Sequence, residues 1–126
     1  MKVFAFLLFL LSQFVAVGQS YVTKDIKSFG AKGDGKTNDQ AAFEKAAAYF
    51  NQRGGNGKLV IPRGTYIIGQ QDFTQGKDGK PAYFGHDVLR LVSIKNLTIE
   101  GKDGAKLKYS DSLRFGAFNP ETGKVH

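Results

Sequence analysis

The residues Gly30-Ala31-Lys32-Gly33-Asp34-Gly35-Lys36-Thr37 satisfy the phosphate-loop pattern G-x-x-x-x-G-K-[ST]. In that chemistry backbone N–H groups cradle phosphates at a helix N-terminus, Lys36 reaches the outer phosphates and Thr37 holds magnesium. The same stretch admits a second reading. Gly30, Gly33 and Gly35 are free to take positive φ, Asp34 and Asn38 favour turns, and Thr37 or Asn38 caps the helix that follows.

Three features of the chain weigh against nucleotide binding and leave it as the remote alternative. Residues 1–18 open with Met1-Lys2, continue through an apolar run from Val3 to Leu11, and reach the small residues Ala16 and Gly18. That is the layout of a signal peptide cleaved before Gln19, and secretion removes a protein from the compartment rich in ATP and GTP. The residues ahead of the loop, Asp25-Ile26-Lys27-Ser28-Phe29, mix charge and apolarity, whereas a phosphate loop follows a strand buried on both faces. No later run of four apolar residues ends in the Asp that would hold magnesium. No cofactor is expected.

Other chemistry-bearing residues are scattered. The carboxylates are Asp25, Asp34, Asp39, Asp72, Asp78, Asp87, Asp103, Asp111, Glu44, Glu100 and Glu121. An inverting glycosidase pair needs two carboxyls about 6.5–9.5 Å apart on neighbouring elements, and most of these sit among turn formers, where a carboxylate serves the turn. His86, beside Asp87, has the chemistry of a general base or metal ligand, but one other histidine, His126, is present and an ordinary structural role is favoured. Asn96-Leu97-Thr98 matches a glycosylation sequon on a strand residue and is assigned no function. No catalytic, cofactor-binding or metal residue is therefore assigned.

Composition narrows the class. The 126 residues contain no Cys and are 41% hydrophobic, enough for one domain at most, and removal of residues 1–18 leaves about 108 to be held by packing alone. The formal charge of +7 falls to +6 when Lys2 leaves with the signal peptide. The lysines (Lys58, Lys77, Lys80, Lys95, Lys102, Lys106, Lys108) form no dense run, so nucleic acid is not the expected partner. A basic secreted surface suits an acidic polysaccharide, attracted at long range and released by salt. The apolar N-terminal run is shorter than the ~20 residues of a membrane span, so no membrane attachment is expected after cleavage.

The framework around these residues reads as strand, glycine turn, helix and strands. The helix begins after Asn38, carries Phe43, Ala46, Ala47 and Phe50 at i, i+3, i+4 and i+7 with Ala42 widening the stripe, and stops at Gly54-Gly55 beyond Arg53. Thr37 and Gln40 have the spacing of a capping box. Residues 59–61 and 65–68 read as strands flanking Pro62-Arg63-Gly64. Residues 70–86 read as a loop or a hairpin standing off the body, with Phe73, Tyr83 and Phe84 expected to anchor it rather than to stack on a sugar. Residues 88–94, 97–100 and 105–109 read as three short strands. Each needs a stacked neighbour to bury a face, as in a solenoid.

Two segments carry a family resemblance: Ile26-Lys27-Ser28-Phe29-Gly30-Ala31-Lys32-Gly33-Asp34-Gly35-Lys36-Thr37-Asn38-Asp39 and, after Gly54-Gly55-Asn56-Gly57, Val60-Ile61-Pro62-Arg63-Gly64-Thr65-Tyr66. The chain resembles the start of a pectate-lyase-like protein, the superfamily of polygalacturonases and rhamnogalacturonases of glycoside hydrolase family 28, of pectic lyases and of phage tailspikes. The resemblance implies an all-β solenoid, the N-terminal part of a right-handed parallel β-helix with an α-helical N-terminal cap. It implies a secreted or periplasmic hydrolase or lyase, monomeric at full length, that degrades an acidic polysaccharide such as pectin. The family's clustered aspartates, His and Arg-x-Lys are absent here, so residues 19–126 are expected to be incomplete N-terminal coils without activity of their own, the catalytic residues lying on later coils. A non-catalytic glycan-binding or surface-structural β-helix is the alternative.

Overall fold

The computed structural model describes residues 19–114, 118–119 and 124–125, so the expected signal peptide at 1–18 lies outside the described residues. Elements follow in the order β1 (Val22–Asp25), a 3-10 turn (Ile26–Phe29), β2 (Asp34–Asn38), α1 (Gln40–Arg53), β3 (Gly55–Ile61), β4 (Gly64–Ile68), β5 (Gln71–Gln75), β6 (Pro81–Gly85), β7 (Lys95–Gly101), β8 (Ala105–Tyr109), β9 (Phe118–Asn119) and β10 (Lys124–Val125).

The fold is mostly β, with parallel sheets and one helix. Two three-stranded ladders carry it, one ordered β1-β3-β7 and the other β2-β4-β8, and every pairing in them is parallel. The chain visits them alternately, β1 then β2, β3 then β4, β7 then β8. Each visit stacks in register on the one before: Leu59 lies beside Lys24 and Ile99, and Tyr66 beside Leu107. This arrangement is compatible with the stacked coils expected from the sequence. The regularity of the ladders breaks between Asp34 and Asn38, where the register of β2 shifts against β4.

The core lies between α1 and the two ladders. Ile26, Phe43, Phe50, Leu59 and Tyr66 are fully buried, with Ala31, Ala42, Ala46, Ala47, Ile61 and Ile68 around them. Strand alternation supplies one side, since Gly55, Gly57, Leu59 and Ile61 of β3 face inward and Asn56, Lys58 and Val60 are half-buried on the other face. The helix supplies the other through the expected stripe, and Phe43 meets Tyr66 edge to face at 6.2 Å. Gly57 makes the close approach possible: a Cβ there would fall 2.4 Å from the Val22 carbonyl oxygen and 2.9 Å from the Phe50 ring. The helix ends as expected, Gly54 taking φ 69° and returning its N–H to Asn51 and Phe50.

Several expectations are corrected. Residues 26–29 are a 3-10 turn instead of a strand, because the Asp25 carboxylate accepts the Lys27 N–H at 2.8 Å and its carbonyl accepts the Ser28 hydroxyl. The second half of the glycine stretch is strand β2, which the sequence reading took as turn. Residues 88–94 form no strand. Asn51 on α1 donates to the Arg90 carbonyl at 2.8 Å and accepts from the Val92 N–H at 2.9 Å, while Gln40 donates to the Asp87 carbonyl at 3.1 Å. Helix side chains thus satisfy backbone groups that a ladder would otherwise take. Residues 71–85 do form a hairpin, β5 against β6, antiparallel and paired with nothing else.

Ile99 on β7 and Leu107 and Tyr109 on β8 are exposed. β9 and β10 pair antiparallel through Asn119 with Lys124 and Phe118 with Val125. At the start of β7, Asn96 donates its side-chain N–H to the side-chain oxygen of Asn56 at 2.8 Å, and both residues take left-handed φ, 53° and 51°. Asn96 of the sequon thereby serves the stacking of one strand start on another.

Phe43 is the residue on which this packing tests most directly. Phe43→Asp should remove a fully buried ring and bury a charge, costing at least about 3–5 kcal/mol out of a total stability of about 5–15 kcal/mol. Lys45→Asp, on the exposed face of the same helix, should change stability by no more than about 0.5 kcal/mol. Denaturant titration of the two variants checks the contrast, and equal midpoints would contradict it.

Candidate functional site

The glycine loop is closed on itself. Asp39, 3% exposed, accepts the Lys32 N–H at 2.7 Å through Oδ1 and the Gly33 N–H at 3.0 Å through Oδ2. Asp34 accepts the Lys36 and Thr37 N–H groups at 2.9 and 2.8 Å, and the Thr37 hydroxyl donates to its other oxygen at 2.8 Å. The four amides that a phosphate would need are thus held by the chain's own carboxylates. The loop also runs into β2 before α1 begins, so no helix N-terminus faces it. The expected Thr37 cap is corrected at the same time. Asn38 Oδ1 accepts the Gln40 N–H at 2.9 Å, as the alternative cap, and the Gln40 side chain turns to the Gly69 N–H, to Glu44 and to the Asp87 carbonyl instead of closing a capping box.

These bonds set the local electrostatics. The amides of Thr37 and Lys36, then the Thr37 hydroxyl, lower the Asp34 carboxyl from 3.8 to about 2. A carboxylate lowered on folding stabilises the fold above its unfolded value, so this contribution is present above 3.8 and fades as pH falls toward about 2. Tyr66, whose hydroxyl donates to the Pro62 carbonyl at 2.9 Å, is pushed up by burial first and then by the charges of Asp25 and Asp39.

A second cluster joins residues far apart in sequence. His86, just beyond β6, places Nε2 2.8 Å from Asp72 Oδ2 on β5 and Nδ1 3.8 Å from Glu44 Oε1 on α1. The hydrogen bond to Asp72, reinforced by the charges of Asp72 and Glu44, raises its pKa above 6.5 against a smaller opposing effect of burial. Beside it an open cleft of about 180 Å³ is lined by Glu44, Ala47, Ala48, Asn51, Asp87 and Arg90. The group can hold or pass a proton between two carboxylates. Among the described residues no three His, Cys, Asp or Glu side chains are grouped to hold a metal ion. The sequence reading singled out His86 without finding Asp72 and Glu44 as its neighbours. Nothing in the local pattern marks a contact across 14 or 42 positions.

The other carboxylates are distributed as turn and surface groups. Asp78 bonds the Lys80 N–H, Asp103 lies 3.8 Å from Arg63, and Asp111 lies 3.3 Å from Lys108. Glu100 is held between Lys102 and Lys58, whose hydrogen bonds lower it from 4.5 to about 2. Glu121 lies outside the described residues. The expected anchoring role of the hairpin aromatics is corrected: Phe73, Tyr83 and Phe84 are 62, 46 and 59% exposed. Phe73 and Tyr83 are cross-strand partners on one face, with ring centroids 5.6 Å apart, while Phe84 pairs with Asp72 on the other.

If the loop is structural, Asp39→Ala should leave two amides without partners and destabilise by about 1–3 kcal/mol for each, while Lys36→Ala leaves the melting temperature unchanged. Isothermal calorimetry with ATP and magnesium should show no binding. Micromolar binding abolished by Lys36→Ala would restore the phosphate-loop reading.

Residues 24–77 match a family model described as "Rhamnogalacturonase A/epimerase, pectate lyase-like". The chain is 33% identical over 90 residues to "Polygalacturonase ADPG1" of Arabidopsis thaliana, covering 71% of this chain and 18% of that protein. It is 42% identical over 52 residues to "Exopolygalacturonase" of Zea mays (40% of this chain, 12% of that protein) and 37% identical over 60 residues to "SPbeta prophage-derived uncharacterized protein YomE" of Bacillus subtilis (48% and 9%). The matches thus span less than a fifth of these relatives' own lengths. No solved structure matches the chain. Residues 24–77 are thus a segment of the pectate-lyase-like superfamily, and the chain is similar to polygalacturonases.

Proposed function

We propose that residues 19–114 form the first coils of a right-handed parallel β-helix, with α1 covering its N-terminal end, in a secreted protein that hydrolyses a pectin-type polysaccharide. The observation that carries this reading is the alternate return of the chain to two parallel ladders, within a segment related to polygalacturonases. Parallel crossovers of this kind are right-handed in almost all sheets. The Phe43 and Phe50 face of α1, packed against Ile26, Leu59 and Tyr66, keeps water from the apolar interior of the first coil. Further coils stack on β7 and β8 and cover Ile99 and Leu107.

In this reading the present residues build and orient the solenoid, and the carboxylates that cleave the substrate stand on coils beyond it. That fits the side chains at hand, whose carboxylates are mainly engaged with amides, lysines, Arg63 or His86. The net positive charge favours a polyuronate at long range. Residues 1–18 direct secretion and are removed before Gln19. No helix among the described residues is long and apolar enough to cross a membrane.

The full-length protein acting on polygalacturonate should release reducing ends without an ultraviolet-absorbing unsaturated product. The unsaturated product would identify a lyase, and binding without cleavage a non-catalytic glycan-binding β-helix. Secreted material should begin at Gln19 by N-terminal sequencing. Residues 19–126 expressed alone should release no sugar and should self-associate through the open strands β7 and β8. A monomeric, cooperatively melting and active product would overturn the assignment of catalysis to other coils.

A further inference from the structure

We propose that a proton on His86 latches the β5–β6 hairpin onto helix α1, so that the hairpin is docked in acid and released in base. The hairpin forms its own two-stranded sheet, and a sheet of two strands is marginal without support from the body. Its support is polar. Gln71 exchanges hydrogen bonds with the backbone of Arg114 at 2.9 and 2.7 Å, while the backbone N–H of His86 donates to the Gln70 carbonyl at 2.9 Å and only closes the base of the hairpin itself. The side chain of His86 is the charged tie between hairpin and helix, with Asp72 on one side of the ring and Glu44 on the other.

A neutral imidazole has one N–H and one lone pair. Set between two carboxylates, it can donate to one of them and must turn its lone pair toward the other. The imidazolium donates to both, which shortens the 3.8 Å separation from Glu44 to hydrogen-bonding range while keeping the 2.8 Å bond to Asp72. The other charges near the ring are Asp87, its chain neighbour, and Arg90, which lines the cleft with Glu44 and Asp87. Glu44 is further fixed by Gln40, whose amide donates to the same Oε1 at 2.9 Å.

The sign follows from the direction of the shift. His86 is raised above its ordinary 6.5, so the latch is fully present below 6.5 and is lost as pH rises through the raised value. Docking fixes the direction in which the exposed Phe73 and Tyr83 rings face. Release frees the pair to swing with the hairpin.

Hydrogen exchange of the full chain at about pH 5 and about pH 8.5, corrected for intrinsic exchange, reads the latch directly. Amides of residues 71–85 should be at least about threefold more protected at the lower pH, while those of β3 and α1 change little. His86→Gln should abolish the difference. Glu44→Gln, an exposed helix position that retains an acceptor for Gln40, should reduce it without unfolding the protein. In a His126→Gln background a single imidazole remains, and its NMR titration should have a midpoint above 6.5. Protection independent of pH, an unchanged pH dependence in either variant, or a midpoint at or below 6.5 would overturn the proposal.

Discussion

Parallel pairing is the constraint from which the rest of this structure follows. A strand that pairs in parallel cannot fold straight back on its neighbour and must travel away before returning in the same direction. Here Val22 meets Gly57, and Gly57 meets Leu97, so long stretches of chain lie between partners. The first interval contains β2 and α1, and the second contains β4 and the hairpin. What each interval does with its extra length decides the character of that level: the first turns it inward as Phe43 and Phe50, the second outward as β5 and β6.

The inward use explains why a chain without a disulfide has a defined core. Three buried alanines on α1, Ala42, Ala46 and Ala47, bring the helix close, and Phe43 and Phe50 fill the core beside Leu59 and Tyr66. Side-chain amides on that helix, and on Asn38 at the end of β2, then do what a further strand would do elsewhere. Asn38, Gln40 and Asn51 bind backbone groups of Gly69, Asp87, Arg90 and Val92, so irregular chain lies against the core with these donors and acceptors satisfied.

Elements whose cause is local were legible in the sequence. The α1 stripe, its glycine stop, the alternation in β3 and β4, and the short strands β7 and β8 all follow from spacing within a dozen residues. Elements whose cause is distant were not. β2 is polar, and it is a strand because β4 lies beside it. Residues 88–94 have the composition of a strand, and they lack a ladder while Asn51 holds the backbone of Arg90 and Val92. The glycine stretch was read correctly as structural, yet the carboxylates that hold it, Asp39 across six and seven residues and Asp34 across two and three, were visible only as turn formers. His86 was noticed and its two partners were not, since they come from another strand and from the helix.

The hairpin has a consequence for how such a fold can diversify. Its strands bond to each other and to neither ladder, and its tip at Gly76 to Gly79 is closed by local bonds between Gly76, Gly79 and Lys80. Lengthening a loop of this kind costs only about 0.6 kcal/mol for each doubling. The tip is therefore a place where evolution or an engineer can splice in foreign sequence, a peptide epitope or a small recognition module, while the load-carrying ladders keep their register.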